Sequence, residues 1–422
     1  MTTSSPPLPV LIIGAGICGL TLAQRLRTLD IPFKLFERDI FPTARGAGWG
    51  LTINWALPMF YGLLPPSVKE RLPETYVNRA AVERGETSSF TFFDLSTGIP
   101  KWRVPPGERI RVSRVKLKTL LMDSVDIEWS KSFKNFDTTE YSVTAHFEDG
   151  SNCEGCILVD CEGTQSHARR SLYPLNHETF KLPIRFIGTI TQPSPEQVKE
   201  ILKLDSFFFH GASSENDSYM YFSFLSAPYS PEEADEKYIC QIALTWPFRK
   251  GFFGNPEPTE VPQTDFERVA LMKRIASTWV EPFRSIVLDI PDDTETKPIV
   301  LQDWPPPQGV HGHGRVVMMG DALHPMVMYR GDGANHGIAD VVDFFNRLGP
   351  YLPHSHAAGE STNVGYAAIR AAIDAYEDDV SARATLAVLA SRQACLDAHE
   401  WGRLNERSPL FAKRVMLSDV SS

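Results

Sequence analysis

The sequence predicts an α/β fold. It combines a βαβ domain with parallel strands, an inserted antiparallel sheet and a C-terminal helical segment. Three observations carry this. Gly14-Ala15-Gly16-Ile17-Cys18-Gly19 sits between an apolar run, Val10–Ile13, and a segment whose Leu22, Leu26 and Leu29 recur at helical spacing. From Lys181 to Pro247 the texture changes to short alternating runs heavy in Phe and Tyr, joined by polar loops. Val364 to Glu400 keeps helical periodicity over a long, alanine-rich stretch.

Strand, glycine turn and helix are the context in which the first motif signifies a dinucleotide, in a Rossmann-like unit. Gly14 permits the tight turn, Gly16 lets the backbone approach a pyrophosphate, and Gly19 lets the helix pack on the strand. The helix N-terminus offers N–H groups and a positive dipole end to the phosphates. A second apolar run, Ile31–Phe36, ends in Glu37, close to the expected ~20 residues beyond the motif. Its carboxylate suits a ribose diol. The competing reading is an ordinary βαβ unit with small residues at its turn.

Composition narrows the function. The 422 residues are 42% hydrophobic and 22% charged, ordinary for a globular chain with two or three structural units. A net charge of −10 is the wrong sign for nucleic acid or an anionic membrane. Met1–Pro9 lacks the basic and apolar regions of a secretory signal. No apolar run nears the ~20 residues that span a bilayer. Six scattered cysteines fit a reducing, cytoplasmic setting. Cys153 and Cys156 form a lone C-x-x-C with no second pair at zinc spacing, so strand-packed thiols are expected rather than a metal site.

The remaining elements follow in order. Arg45–Ile53 crowds glycines beside Trp49, as a loop passing something flat or simply leading into a strand. Pro58–Pro73 reads as a connector with helical turns. Ser88–Leu95 alternates and is expected as a strand. Ser113 is a plausible N-cap for a helix with Leu117, Leu120 and Leu121 on one face. Arg114 in its first turn is poorly placed for the dipole, so it reads either as a surface arginine or as the partner of an anion or carbonyl. Tyr141–Glu148 with Asp149-Gly150 signals a hairpin, and Ile157–Val159 a buried strand before Asp160-Cys161-Glu162-Gly163. Phe186–Ile190, Phe207–His210, Tyr219–Phe224 and Ile239–Trp246 are expected strands, and Thr264–Ile286 a helix. Arg315–Met319 is a buried strand entering Gly320-Asp321-Ala322-Leu323-His324-Pro325-Met326. Gly331-Asp332-Gly333-Ala334-Asn335 follows, then a helix; His354–Asn363 reads as flexible.

With its glycine segments placed, the chain resembles the FAD-dependent monooxygenases of the aromatic-hydroxylase type, such as para-hydroxybenzoate hydroxylase and the tetracycline-modifying enzymes. Three separated motifs carry this, in the right order: GAGICG, the DCEG region and GDALHPM with GDGAN. The resemblance implies a Rossmann-like FAD-binding domain (1–75, 111–180, 301–350). It implies an inserted antiparallel-sheet substrate domain (76–110, 181–300) and a C-terminal helical region (351–422). By similarity Gly14, Gly16 and Gly19 hold the pyrophosphate, and Glu37 with Arg38 the adenosine ribose. Arg114 and Glu162 also contact FAD, Glu162 being a methylene longer than the usual aspartate. Asp321 binds the ribityl–pyrophosphate portion, and Gly331, Gly333, Ala334 and Asn335 lie beside the isoalloxazine ring. Arg45 matches a loop arginine near the ring edge, a candidate contact for NADPH or NADH.

The activity implied is NAD(P)H- and O2-dependent oxygenation of a medium-sized, mostly apolar, aromatic or polyketide-like small molecule through a flavin peroxide. Hydroxylation or epoxidation is expected, with Baeyer–Villiger insertion or a simple oxidase or dehydrogenase as alternatives. No second nucleotide fingerprint is present, so the nicotinamide is expected to bind transiently over the same ring. The protein is expected as a monomer or homodimer. The aromatic sheet is the expected lid, with Phe208, His210, Tyr219, Tyr221, Phe224 and Trp246 as pocket candidates, about half of them facing the ring. His210, Tyr221 and Arg330 are the catalytic candidates. Arg330 and Asp332 read equally as a solvated loop pair. Met328 stands where the family places proline.

Overall fold

The structure, a computed structural model, describes residues 7–44, 48–104, 107–230, 237–353 and 365–416. Arg45 and the polar segment 354–363 lie outside the described residues.

Five parallel strands form the first sheet, in the order Val316–Met318, Ile157–Asp160, Val10–Ile13, Phe33–Phe36, Ile127–Glu128. The motif strand Val10–Ile13 is central and wholly buried, as a strand covered on both faces must be. Because the strands run the same way, Gly14, Glu37, Cys161 and Met319 all emerge at one edge, where open parallel sheets bind ligands. The motif helix Ile17–Thr28 buries Leu20, Leu22 and Leu26. The expected hairpin forms from Val143–Phe147 and Asn152–Gly155, extended by Phe133–Thr138.

The second sheet has seven strands, in the order Thr296–Pro298, Ile184–Thr191, Ile239–Pro247, Tyr219–Ser226, Phe208–Ala212, Phe92–Asp94, Pro100–Trp102. Neighbours are antiparallel except Phe208–Ala212 and Phe92–Asp94, which run parallel. Strand alternation divides the aromatic residues between two faces. On the back, Phe222, Phe224, Ile242, Leu244 and Trp246 pack with helices Asp265–Ala276 and Phe283–Leu288. On the front, Phe186, Tyr219 and Ala243 cluster with Val327, Tyr329, Cys395 and Leu410.

Two expected elements are shorter than their patterns. Ser88–Leu95 is strand only at Phe92–Asp94. Ser88 Oγ and the Ser89 N–H donate to Asp205 Oδ2 at 3.0 and 3.1 Å, and Phe90 takes a positive φ of 49°, so the chain leaves the sheet there. Thr264–Ile286 is two helices. The first opens on a Thr264–Glu267 capping box; Pro282, lacking an N–H, separates it from the second.

A two-stranded ribbon, Gly50–Ile53 against Ile110–Ser113, lies between the sheets. The helix Arg114–Leu121 buries Leu117, Leu120 and Leu121 as expected; Ser113 is its N-cap residue but makes no side-chain cap bond. Helix Gly333–Leu348 packs on the long helix Tyr366–Ala398 through Arg383, which donates to Asp340 Oδ1 at 2.7 Å and Asp343 Oδ2 at 2.9 Å. No helix among the described residues is long and apolar enough to cross a membrane. All six cysteines are free thiols.

A Cβ at Gly19 would lie 2.2 Å from the Gly14 carbonyl oxygen and 3.3 Å from Ile12 Cγ2. Gly19→Ala is expected to destabilise the fold by about 2 kcal/mol or more. The measurement is the denaturation midpoint at constant m-value; an unshifted midpoint would mean that helix and strand do not meet at this contact.

Candidate active site

Gly14 leaves the central strand with φ +105°, and a Cβ there would stand 2.5 Å from the Cys161 carbonyl oxygen. The first and second motif segments therefore cross in direct backbone contact. At Gly16 nothing among the described residues lies within 4 Å of the point a Cβ would occupy, so the turn faces open space there. Helix Ile17–Thr28 has no side-chain cap and no acidic residue in its first turn, which leaves its positive end uncompensated by its own sequence. Glu37, buried, accepts the Ala15 N–H at 2.9 Å and the Asp39 N–H at 3.0 Å, and so fixes the glycine turn. Arg38 beside it is exposed.

In the second segment, buried Asp160 accepts the Glu162 N–H at 2.9 Å and the Ser166 hydroxyl. Its pKa is pushed up to about 7 by burial and by Glu162. The Glu162 carboxylate turns to the next helix, accepting the His167 N–H at 2.8 Å, with His167 Nδ1 at 2.9 Å. Arg169 ties this segment to the third: its guanidinium donates to the Ala322 carbonyl at 2.9 Å and to the Thr164 carbonyl.

In the third segment, Gly320 has φ +62° and its Cβ position is 3.4 Å from Cys18 of the first motif. The Gly320 N–H donates to Asp340 Oδ2 at 2.8 Å. The Gly333 Cβ position is 3.7 Å from Asp321 Oδ1, and the Cys18 thiol donates to the Gly337 carbonyl at 3.3 Å. The uncapped N-termini of helices Ile17–Thr28 and Gly333–Leu348 thus flank one cleft, with Asp321 between them. Asp321 is solvent-accessible although protein surrounds it, as on a cleft floor. Desolvation raises its pKa, and His324, Arg114 and Arg169 oppose the rise. Asn335, fully buried, accepts the Asn54 N–H at 2.9 Å and donates to the Thr52 carbonyl at 3.0 Å. It locks the Gly333 helix to the ribbon. Gly331 takes a left-handed φ of +65°, and Ala334 is half-buried in the first helical turn.

The front of the second sheet packs against Trp49 and against Val327 and Tyr329, just before Gly331, and Gln241 Oε1 accepts the Gly50 N–H of the ribbon at 3.0 Å. Trp49 packs against Gly188, whose Cβ position would be 2.3 Å from the indole. His210 Nδ1 and Tyr219 OH lie 3.0 Å apart. Burial, then Arg414, pushes the His210 pKa down to about 3, which favours the neutral ring, one N–H and one acceptor nitrogen, over the imidazolium near neutral pH. Tyr221 is half-buried beside Phe208. Burial raises its phenol pKa against the opposing influence of Arg111. Phe224 and Trp246 belong to the back face, with the Trp246 indole N–H on the Thr259 carbonyl at 2.9 Å. Arg330 and Asp332 are not a solvated pair: each side chain is 2% exposed, with Arg330 Nε donating to Asp332 Oδ2 at 2.9 Å. Asp332 Oδ1 is buried without a hydrogen-bond partner.

A protein of Arthroderma benhamiae named Probable FAD-dependent monooxygenase is 42% identical over 433 residues, spanning 99% of this chain and 98% of its own. FAD-dependent monooxygenase dbaB of Emericella nidulans is 39% identical across 81% of this chain and 86% of its own. The chain belongs to the FAD-dependent monooxygenases. No protein-family model matches it. Among solved structures, a salicylate hydroxylase–substrate complex shares the monooxygenase's fold with TM-score 0.68 at 19% identity, covering 96% of this chain and 92% of that one. Klebsiella pneumoniae HpxO complexed with FAD and uric acid does so with TM-score 0.69 at 16% identity, covering 93% and 89%. FAD is the monooxygenase's cofactor, as the resemblance implied, and the aromatic-hydroxylase fold is the one expected. The cleft suits it: Gly16 leaves space, and two uncapped helix N-termini face the same opening.

Several buried arginines around the motif segments carry no local signal in the sequence. Arg111 is buried between the ribbon and the second sheet, donating to Ser223 Oγ at 2.9 Å and Thr52 Oγ1 at 3.0 Å, its guanidinium 5.0 Å from the Phe208 ring centroid. Arg169 and Arg383 were also missed. Each arginine acts on partners far along the chain, and no local pattern announces that.

Removing Arg330 strands the Asp332 carboxylate in the interior. Arg330→Met is expected to cost about 3–5 kcal/mol, and Arg330→Met combined with Asp332→Leu distinctly less. Equilibrium denaturation of both variants measures this. Equal losses would contradict a buried pair.

Proposed function

We propose that this FAD-dependent monooxygenase uses NADPH or NADH and O2 to hydroxylate or epoxidise a medium-sized, mostly apolar or aromatic small molecule. The observation that carries the reading is the aromatic front face, which packs against Val327 and Tyr329 just before the Gly331–Asn335 segment. Trp49, Phe186, Tyr219 and Tyr221 are on that side. A wall of this kind orients a flat apolar substrate with a few polar groups to fix its pose.

When bound, the flavin supplies electron transfer from the nicotinamide and activation of oxygen. The chain's part is to bind, orient and exclude water. Gly14, Gly16 and Gly19, with the first turn of Ile17–Thr28, would hold the pyrophosphate. Glu37, with Arg38 nearby, would take the adenosine ribose, and Arg114 and Asp321 the middle of the cofactor. In this reading Glu162 acts indirectly, by capping the helix at His167. Gly331, Gly333, Ala334 and Asn335 would lie beside the ring, where the positive end of the Gly333 helix favours negative charge. The reductant binds transiently over the same ring, in a cytoplasmic setting. Tyr221 is the hydroxyl best placed to meet the substrate, with Arg330 holding the ring segment.

Asp321→Ala and Glu37→Ala are each expected to lower the flavin-to-protein absorbance ratio several-fold, with the fold retained. A fully yellow variant would remove that residue from the cofactor site. The activity is tested on the purified yellow protein. NAD(P)H consumption should need O2, accelerate with an accepted aromatic substrate, and yield a product carrying one 18O atom from labelled O2. Reduction of the flavin by substrate alone, without nicotinamide and under argon, would instead establish an oxidase or dehydrogenase.

A further inference from the structure

Beyond the long helix, the chain turns back across the front of the second sheet, and the proposed function gives these residues no part. His399 Nε2 lies 2.7 Å from Thr245 Oγ1, which also accepts the Tyr329 hydroxyl at 3.0 Å. The Phe411 ring stacks on Trp102 with centroids 4.0 Å apart and planes 14° from parallel. It also meets Phe92 edge-on at 5.0 Å. Leu410 joins the buried front-face cluster. These anchors spread one strap over strands Phe92–Asp94 and Pro100–Trp102 and over Tyr219.

Arg414 fastens the strap. Its Nη2 donates to the Leu410 carbonyl at 2.9 Å, and its Nη1 to the carbonyls of Pro409 and Ala412. With those bonds it gathers its own loop. Its Nε donates to the Arg330 carbonyl at 2.8 Å. Arg330 answers with a bond from Nη1 to the Pro409 carbonyl. The tie lands on the residue before left-handed Gly331, whose carbonyl accepts from Asn335 Nδ2 at 3.3 Å. A guanidinium is suited to this because its donors form a rigid planar fork. Burial in a partly apolar surround makes each unsatisfied carbonyl costly, so the tie is specific.

We infer that residues 399–416 form a wall of the substrate chamber, and that Arg414 is the positioning residue that fixes the 330–335 segment through Arg330. The inference rests on the proposed function, in which that segment lies beside the flavin ring. Arg414 touches no reacting atom. It sets where the ring segment stands and keeps water from entering beneath the strap.

The test uses the FAD-loaded full chain with Arg414→Met, Arg414→Lys and Phe411→Ala. Trypsin cleavage after Arg403, Arg407 or Lys413 is followed by mass spectrometry, together with the flavin absorption band and the share of NADPH electrons released as hydrogen peroxide. Arg414→Met should keep its FAD, be cleaved about tenfold faster because the strap opens more often, shift the flavin band and raise the peroxide share. Arg414→Lys should restore part of the band shift. Phe411→Ala, which frees the strap without touching Arg330, should speed cleavage and leave the band nearly unmoved. In Arg414→Met, either a protected strap or a released strap with the parental band and peroxide share overturns the inference. A parent that holds no FAD would count against the proposed function instead. The proteolysis comparison needs no flavin, and parental cleavage rates there would still overturn Arg414's role.

Discussion

The structure depends on a close approach of backbone to backbone. Gly14 passes over the Cys161 carbonyl with no room for a side chain, and Gly19 lies against Gly14 in the same way. These two contacts bring the ends of adjacent parallel strands together and aim the first helix at the gap between them. Gly16, between them, meets none of the described residues. Two glycines are therefore required by the protein's own packing, and the third is free to serve a ligand.

Charge holds the third segment to this centre. Asp340, wholly buried, receives the Gly320 N–H, His324 Nε2 at 2.7 Å and Arg383. Burial opposes its ionisation, but His324 and Arg383 hold its carboxyl well below the usual carboxylate range. An ion pair this deep gives direction more than net stability. Here it joins the long C-terminal helix, the Gly333 helix and the Gly320 turn, and so fixes Asp321 at the cleft floor. Arg169 does the same for the second segment, Asn335 for the ribbon, and Arg414 for the strap. The site is built by buried polar groups that reach across the sequence.

That division explains what the sequence could and could not reveal. The glycine turn, the central strand and the alternating aromatic runs are local signals, because backbone crowding and pleat periodicity act between near neighbours. They placed both sheets. Ser88–Leu95 misled because Asp205, more than 100 residues away, captures Ser88 and Ser89. His210 is a catalytic candidate by sequence, yet burial, and then Arg414, favours its neutral ring. Arg330 and Asp332 read equally as solvated loop residues because nothing local shows the strap that covers them. Arg111, Arg383 and Arg414 were invisible for the same reason: an arginine's partner is set by the tertiary fold.

The central claim is that the space left at Gly16 belongs to the FAD pyrophosphate and to nothing in the protein. FAD titration of apo-protein carrying Gly16→Val tests it most directly, with the thermal midpoint of the apo form measured alongside. The expected result is an apo midpoint within about 1 °C of the parent, because no described residue lies within 4 Å of the point the added Cβ would occupy, and affinity for FAD weakened about a hundredfold or more. Parental affinity in a normally folded variant would contradict it.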